Sequence, residues 1–136
     1  MRRLLWSLLT FVGVLLILGI GEHAFAQTAQ QRQVADTVRA WDLLGAWSLD
    51  CSRPPANDNG YLNYEIRGPG IAMHVRNFGT SSDAHEVLEA RPVEGGGLEI
   101  TVRFQFESGA QMRRWVLVKR DDRIRAVSNV SVDNGS

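Results

Sequence analysis

The sequence predicts a mainly β fold, an antiparallel meander of about seven strands that forms a small barrel or a curved sheet, preceded by one short N-terminal helix. Two observations predict this class. From Gly45 onward apolar and polar residues alternate, and no stretch fits a helical period better. The predicted strands are joined by short turns rich in Gly, Pro, Asn and Asp, which is typical of an antiparallel meander.

The composition is that of one ordinary globular domain. The chain has 136 residues, 15 basic and 15 acidic, and 44% of its residues are hydrophobic. These values exclude a disordered tail, a collagen-like rod and a multidomain enzyme. The even charge balance argues against a nucleic-acid-binding protein, because phosphate binding requires an excess of basic residues.

The first 26 residues have the layout of a secretory signal peptide. A basic start, Met1–Arg3, precedes an apolar run over residues 4–20 and a small-x-small cleavage pattern at Ala24–Ala26. We therefore expect a periplasmic or secreted protein. The alternative is an inner-membrane anchor formed by residues 4–20, because the run approaches the length of a membrane span. We expect no cofactor, because the sequence contains no cofactor motif. The expected organisation is 1–26 signal peptide, 27–43 helix or linker, and 44–136 β-rich domain.

The predicted helix covers residues 27–43. Val34, Val38 and Trp41 fall on one helical stripe. Thr28 and Gln31 fit a capping box at its start, and Gly45 stands where a C-terminal cap would end it.

Seven strands follow from the alternation. The fifth has the clearest pattern, whereas the fourth is weakly patterned and is expected at an edge or with a bulge. Their predicted ranges are 46–51, 61–67, 71–77, 85–92, 98–107, 111–120 and 123–132.

A three-residue loop between strands five and six would pair Glu107 with Gln111, Val102 with Val116 and Ile100 with Val118. This register directs Val116 and Val118 toward the core.

Strand six is then apolar on both faces, because Trp115 and Leu117 lie opposite the two valines. Such a strand needs two covers. Either the N-terminal helix covers the second face, or a partner or second copy does. The candidate interaction surface consists of Trp115, Leu117, Arg113, Arg123 and Arg125.

Six basic residues cluster in the last two strands. We expect cross-strand pairing with the acids of the preceding strands; the alternative is a patch for an anionic partner or envelope polymer. The basic residues are Arg113, Arg114, Lys119, Arg120, Arg123 and Arg125, and the acids are Asp83, Glu86, Glu89, Glu94, Glu99 and Glu107.

The sequence contains no pattern that predicts catalytic, metal or cofactor residues. His74 and His85 are expected to be solvated strand residues, because local spacing supplies only Asp83 as a further ligand and a metal site needs three or four. The turn at Asn57–Gly60 does not fit a calcium loop, because the loop pattern requires acids at positions 55 and 66, which are Pro55 and Ile66. Gly95–Gly97 leads into a strand and not into the helix that a phosphate site requires.

Cys51 is the single cysteine, which is unusual for an exported protein. Three interpretations stay open. Cys51 is a buried small hydrophobe, or it pairs with a second chain, or it is the remaining half of an intramolecular disulfide.

The chain resembles a group of small uncharacterised exported proteins of proteobacteria that share the opening G-x-W-x-x-D-C-S. The resemblance lies in the segment Gly45–Pro55, in the meander that follows it and in the segment Val118–Arg125. The Gly-x-Trp motif also resembles the opening of lipocalin-like barrels. Members of the exported group run on beyond this chain's end and finish near a second Cys. The resemblance therefore implies that Cys51 had a disulfide partner and that one or two strands are missing here.

These features favour a protein that acts by binding and not by chemistry. The first hypothesis is a protein-interaction or inhibitor-like module that binds a protein partner or an envelope component. Nucleic acid is not an expected partner. Contact with a membrane is expected only if the N-terminal segment stays uncleaved. The alternative is a lipocalin-like carrier of a small apolar ligand.

Overall fold

The computed structural model describes residues 26–132. The predicted signal peptide or anchor falls on residues 1–25 and so lies outside the described residues. The chain divides into two units, Met1–Gln30 and Gln31–Ser136, and the description below concerns the second unit and the helix that leads into it. Among the described residues, no helix has both the length and the apolarity needed to cross a bilayer.

One helix, residues 26–40, precedes the strands. It ends in a Schellman motif: the Leu43 amide donates to the Val38 carbonyl at 3.0 Å, and the Asp42 amide donates to the Arg39 carbonyl at 2.9 Å. The left-handed residue of this motif is Asp42, with φ of 57°. The prediction that Gly45 ends the helix is therefore wrong. The capping box is wrong too, since residue 28 lies inside the helix.

Seven antiparallel strands form one curled half-barrel sheet in sequence order, which confirms the predicted fold class. Each turn returns the chain beside the strand it has just left, because the turns are short. The strands are β1 Gly45–Trp47, β2 Tyr61–Arg67, β3 Ile71–Asn77, β4 Ser82–Val93, β5 Gly97–Phe106, β6 Gly109–Arg120 and β7 Arg123–Ser131. Strands β2 and β3 have the predicted bounds, whereas β1 is only three residues long.

The register of the β5–β6 hairpin differs from the predicted one. The turn consists of two residues, Glu107 and Ser108, so Phe106 pairs with Gly109 and Leu98 with Leu117. The prediction placed Gly109 in the loop, but this glycine starts β6 with φ of 123°. Relative to the predicted pairing, β6 is shifted by three residues along β5. Because successive side chains of a strand point to opposite faces, a shift by an odd number of residues turns the other set of β6 side chains inward. The inward side of β6 therefore carries Leu117 and not the valines.

Two β-bulges bend the sheet. The pairing of β4 with β5 shifts between Val87 and Glu89, so the prediction of a bulge in this strand is confirmed. The pairing of β6 with β7 shifts between Val116 and Leu117, where Val127 of β7 is left without a partner. Bulges increase the local twist, which helps the sheet to curl.

The core lies on one face of the sheet, which we call the inner face and which carries Leu98, Ile100 and Val102, all fully buried. The helix packs on this face: Val34 and Val38 belong to the same core as Leu117. Two hydrogen bonds attach the segment just after the helix to the sheet. The Trp41 indole donates to the Gly96 carbonyl in the β4–β5 turn at 3.0 Å. The Lys119 ammonium of β6 donates to the Asp42 carbonyl at 2.7 Å.

Candidate functional site

An apolar cleft opens on the inner face, between the first two strands and the last two. Its volume is about 200 Å³. Since β1 and β7 are the two ends of the sheet, the cleft lies where the curl brings these ends toward each other without pairing them in the described residues. Its lining consists of Trp47, Ser48, Leu49, Gly60, Leu62, Tyr64, Leu117, Ile124 and Ala126.

The floor of the cleft is firmly held. Leu117 and Tyr64 are buried, and the Trp47 indole donates a hydrogen bond to the Leu43 carbonyl at 2.8 Å. These side chains are fixed by the same core that holds the helix. The cleft is therefore a preformed depression, which lowers the ordering cost of binding.

The rim of the cleft is apolar and open to solvent. Leu49, in the segment that follows β1, is 91% exposed, and Leu62 is 36% exposed. A single exposed Leu needs no explanation, but these two lie on the border of one depression. An apolar depression with an apolar rim is typical of a surface that contacts another molecule.

Two lining residues, Ser48 and Tyr64, carry a hydroxyl. The Ser48 hydroxyl donates to Asn59 and accepts from the Asp50 amide, which leaves the Tyr64 hydroxyl. Within residues 26–132 it makes no hydrogen bond, while its ring is almost completely buried. Burial raises the pKa of this phenol, so it is neutral at physiological pH. A neutral phenol both donates and accepts, and this one would fix the orientation of a polar atom on a bound group.

A cluster of aromatic and histidine rings adjoins the floor. His74 lies beside Tyr64, with ring centroids 5.0 Å apart, and beside Trp115 at 5.2 Å. His85 contacts Phe104 at 4.4 Å and pairs with His74 across β3 and β4. Both histidines are 3% exposed. The prediction of solvated histidines is therefore wrong.

The two histidines differ in their partners. His85 accepts a hydrogen bond from the Gln105 amide at Nδ1 and has Asp83 Oδ1 at 3.1 Å from Nε2. The expected face shared by Asp83 and His85 is thus present. Nδ1 of His74 is buried without a partner. Burial, helped by Arg76 and His85, lowers the pKa of His74 to about 4.

This cluster has no open side for acid–base chemistry, because both imidazoles are buried and Arg76 holds Asp83 in a bidentate ion pair. The ion pair lowers the pKa of Asp83. In the described part of the chain, no three His, Cys, Asp or Glu side chains converge on a metal-sized space. The cluster therefore acts as packing beside the cleft.

The predicted interaction residues fall on two faces. Leu117 lines the cleft, and Trp115 and Arg113 share its face, where Arg113 donates to Gln111 and Asn129. Arg123 and Arg125 alternate with cleft residues of β7 and so belong to the outer face, exposed. The structure does not bring the five together. Sequence reasoning missed Trp47, Leu62, Tyr64 and Ile124 as a group, although alternation placed Trp47, Leu62 and Tyr64 inward.

Within the described residues, the expected pairing between the two sets occurs once, between Glu99 and Arg114 at 3.7 Å. Glu99 lies closer to Arg91, at 2.7 Å, and Glu86 pairs with Arg103 instead of a basic residue of the last two strands. In residues 26–132, four arginines of the β6–β7 hairpin have no carboxylate partner within 4 Å; these are Arg113, Arg120, Arg123 and Arg125.

Cys51 is exposed with a free thiol, in the loop between β1 and β2, so the interpretation of a buried hydrophobe is wrong. The buried Asn59 organises this loop. Its amide donates to the carbonyls of Asp50, Arg53 and Pro54, and its oxygen accepts from Ser48. The loop therefore holds the cleft residues that follow β1.

Comparisons of the chain with protein-family models, with curated proteins and with solved structures gave no match.

Proposed function

We propose that this protein is a binding module whose apolar cleft takes a nonpolar group of a partner protein. The observation that carries the proposal is the position of the cleft, on the open line between the two ends of a curled sheet, which do not pair with each other within residues 26–132. A partner can reach this line from outside, whereas a group inside a closed barrel would be sealed from other proteins.

The size of the cleft supports a side chain as its occupant. A cavity of roughly 150 Å³ holds one benzene molecule, so a cleft of about 200 Å³ accommodates one or two apolar side chains. Burying each of them contributes about 1.5–3 kcal/mol. A free energy of this size is appropriate for a side chain that forms one part of a larger protein–protein interface.

A carrier of a small apolar ligand is the second candidate, and the Tyr64 hydroxyl favours it, because this group would hold the polar end of a ligand. The volume favours the partner protein instead. Pockets for drug-sized ligands span roughly 300–1,000 Å³, and this cleft is smaller.

Site-specific photo-cross-linking in intact cells tests the proposal. A benzophenone side chain is placed at Ala126, which lines the cleft, and in a control at Val127, which is 61% exposed in the β7 bulge. We expect a protein adduct from position 126 and none from position 127.

The other outcomes are equally informative. An adduct of a few hundred daltons at position 126 supports the carrier and contradicts the partner protein. Equal labelling at both positions, or labelling at neither, contradicts a specific cleft. Export is part of the proposal, and the mass of the protein recovered from cells tests it: a chain that begins at Gln27 supports export with cleavage, and a chain that begins at Met1 supports the anchor.

A further inference from the structure

Resting on the proposed function, we infer that the partner presents a short extended segment that adds to the free edge of β7 along Arg123–Ala126. Its apolar side chains enter the cleft, and its alternate, acidic side chains face Arg123 and Arg125. Three features of β7 carry this inference.

The first feature is the free edge. β7 is the last strand of the sheet and pairs with β6, so the backbone groups on its other side have no strand partner among the described residues. An open edge is a template for an extended peptide, which gains affinity from backbone hydrogen bonds and specificity from alternate side chains.

The second feature is the bulge at Val127, which interrupts the regular pairing. Before the bulge the ladder is regular from Arg123 to Ala126, and this is also the part of β7 that reaches the cleft. A docked strand is thereby limited to about four paired residues. The other end of the sheet, β1, offers only three residues.

The third feature is the alternation within this short ladder. Ile124 and Ala126 line the cleft, so Arg123 and Arg125 lie on the outer face. In a peptide strand paired with β7, each side chain points to the same face of the sheet as the β7 side chain opposite it. The side chains of this peptide strand that lie opposite Ile124 and Ala126 therefore enter the cleft, and its remaining side chains lie beside the arginines.

Charge then decides the chemistry of those remaining side chains. Arg123 pairs across the hairpin with Arg120, and like charges directly opposite are unfavourable. Arg123 and Arg125 have no carboxylate within ion-pair distance in the described residues, although Asp121 and Asp122 occupy the turn beside them. Acidic side chains on the added strand would supply the missing partners.

Fluorescence polarisation with two labelled heptapeptides tests the inference. One peptide alternates Glu with Leu, and the other alternates Lys with Leu. We expect the Glu peptide to bind roughly tenfold more tightly, because each cross-strand charge pair changes from repulsive to attractive. The double variant R123E/R125E should reverse this preference, and unchanged thermal unfolding should accompany the reversal, since both arginines are exposed. Equal binding of both peptides by the original protein overturns the inference.

Backbone methylation separates strand addition from simple charge attraction. N-methyl groups on one alternate set of amides of the Glu peptide would face β7 and abolish binding, whereas N-methyl groups on the other set would leave it intact. Equal loss with both sets, or no loss with either, contradicts strand addition.

A methyl-NMR titration with N-acetyl-leucine methylamide keeps the two proposals apart. This probe offers one apolar side chain without an extended strand, and Ile124 reports on the cleft. If N-acetyl-leucine methylamide shifts the Ile124 methyl signals and the peptides bind no more tightly than this probe, the proposed cleft function is supported and strand addition is wrong. If neither probe nor peptide shifts these signals, the proposed function is wrong as well.

Discussion

Replacement of His74 by Phe should reduce the loss of stability that this fold undergoes between about pH 7.5 and pH 5. The imidazole is buried against Tyr64, Phe104 and Trp115, with Nδ1 unpartnered. A phenyl ring fits among three aromatic rings and carries no proton. The substitution therefore removes the titration while keeping most of the packing.

The magnitude follows from the pKa. The pKa of His74 falls from its ordinary value of 6.5 to about 4 in the folded protein. Between these values the unfolded chain binds a proton that the folded chain does not, so stability is complete above pH 6.5 and decreases as the pH falls. At about pH 5 the loss amounts to ~2 kcal/mol, and below pH 4 it reaches ~3 kcal/mol.

Urea unfolding followed by tryptophan fluorescence at about pH 7.5 and pH 5 measures this effect. The lowered pKa of Asp83 keeps that carboxylate ionised at both values. We expect the free energy of unfolding of the original protein to drop by about 2 kcal/mol more than that of H74F. If both proteins lose the same amount, or if the original protein loses nothing, the reasoning from burial of His74 is refuted.

Three further predictions concern the loop, a turn and the cleft floor. Asn59→Ala should lower the free energy of unfolding by about 2–3 kcal/mol, because Asn59 is buried and its amide donates three part-buried hydrogen bonds to loop carbonyls; the exposed Asn57→Ala should stay within about 0.5 kcal/mol in the same urea titration. Gly79→Ala should lower Tm more than Gly68→Ala, because its new Cβ would lie 2.5 Å from the Pro55 carbonyl oxygen whereas that of Gly68 meets open space; equal losses would contradict this. Leu117→Ala should cost about 2–5 kcal/mol by urea unfolding, as for a core leucine, and a cost below about 0.5 kcal/mol would make this residue pure surface.

The strand bounds could be predicted where turn residues and alternation agree. β2 and β3 meet at Gly68-Pro69-Gly70, a turn that local chemistry determines, and both strands have the expected bounds. The helix end was missed because either Asp42 or Gly45 can adopt a positive φ, and the core position of Leu43 decides between them.

The register of β5 with β6 and the burial of the histidines could not be read from local patterns. One residue more in the turn reverses which side of β6 faces inward, and a sequence contains both solutions. His74 and His85 are buried because distant strands bring Phe104 and Trp115 over them. The cleft results from the summed twist and bulges of seven strands, which no local pattern specifies.

The amide of Asn59 also governs how the protein ages. Asn59 is followed by Gly60, and an Asn-Gly bond deamidates readily when the glycine nitrogen can attack the side-chain carbonyl. In the folded chain three backbone carbonyls hold the amide in place. Conversion to aspartate would set a carboxylate, which only accepts hydrogen bonds, against those carbonyls. We therefore expect chemical decay of this loop to proceed through unfolded molecules, so that shelf life follows the population of the unfolded state.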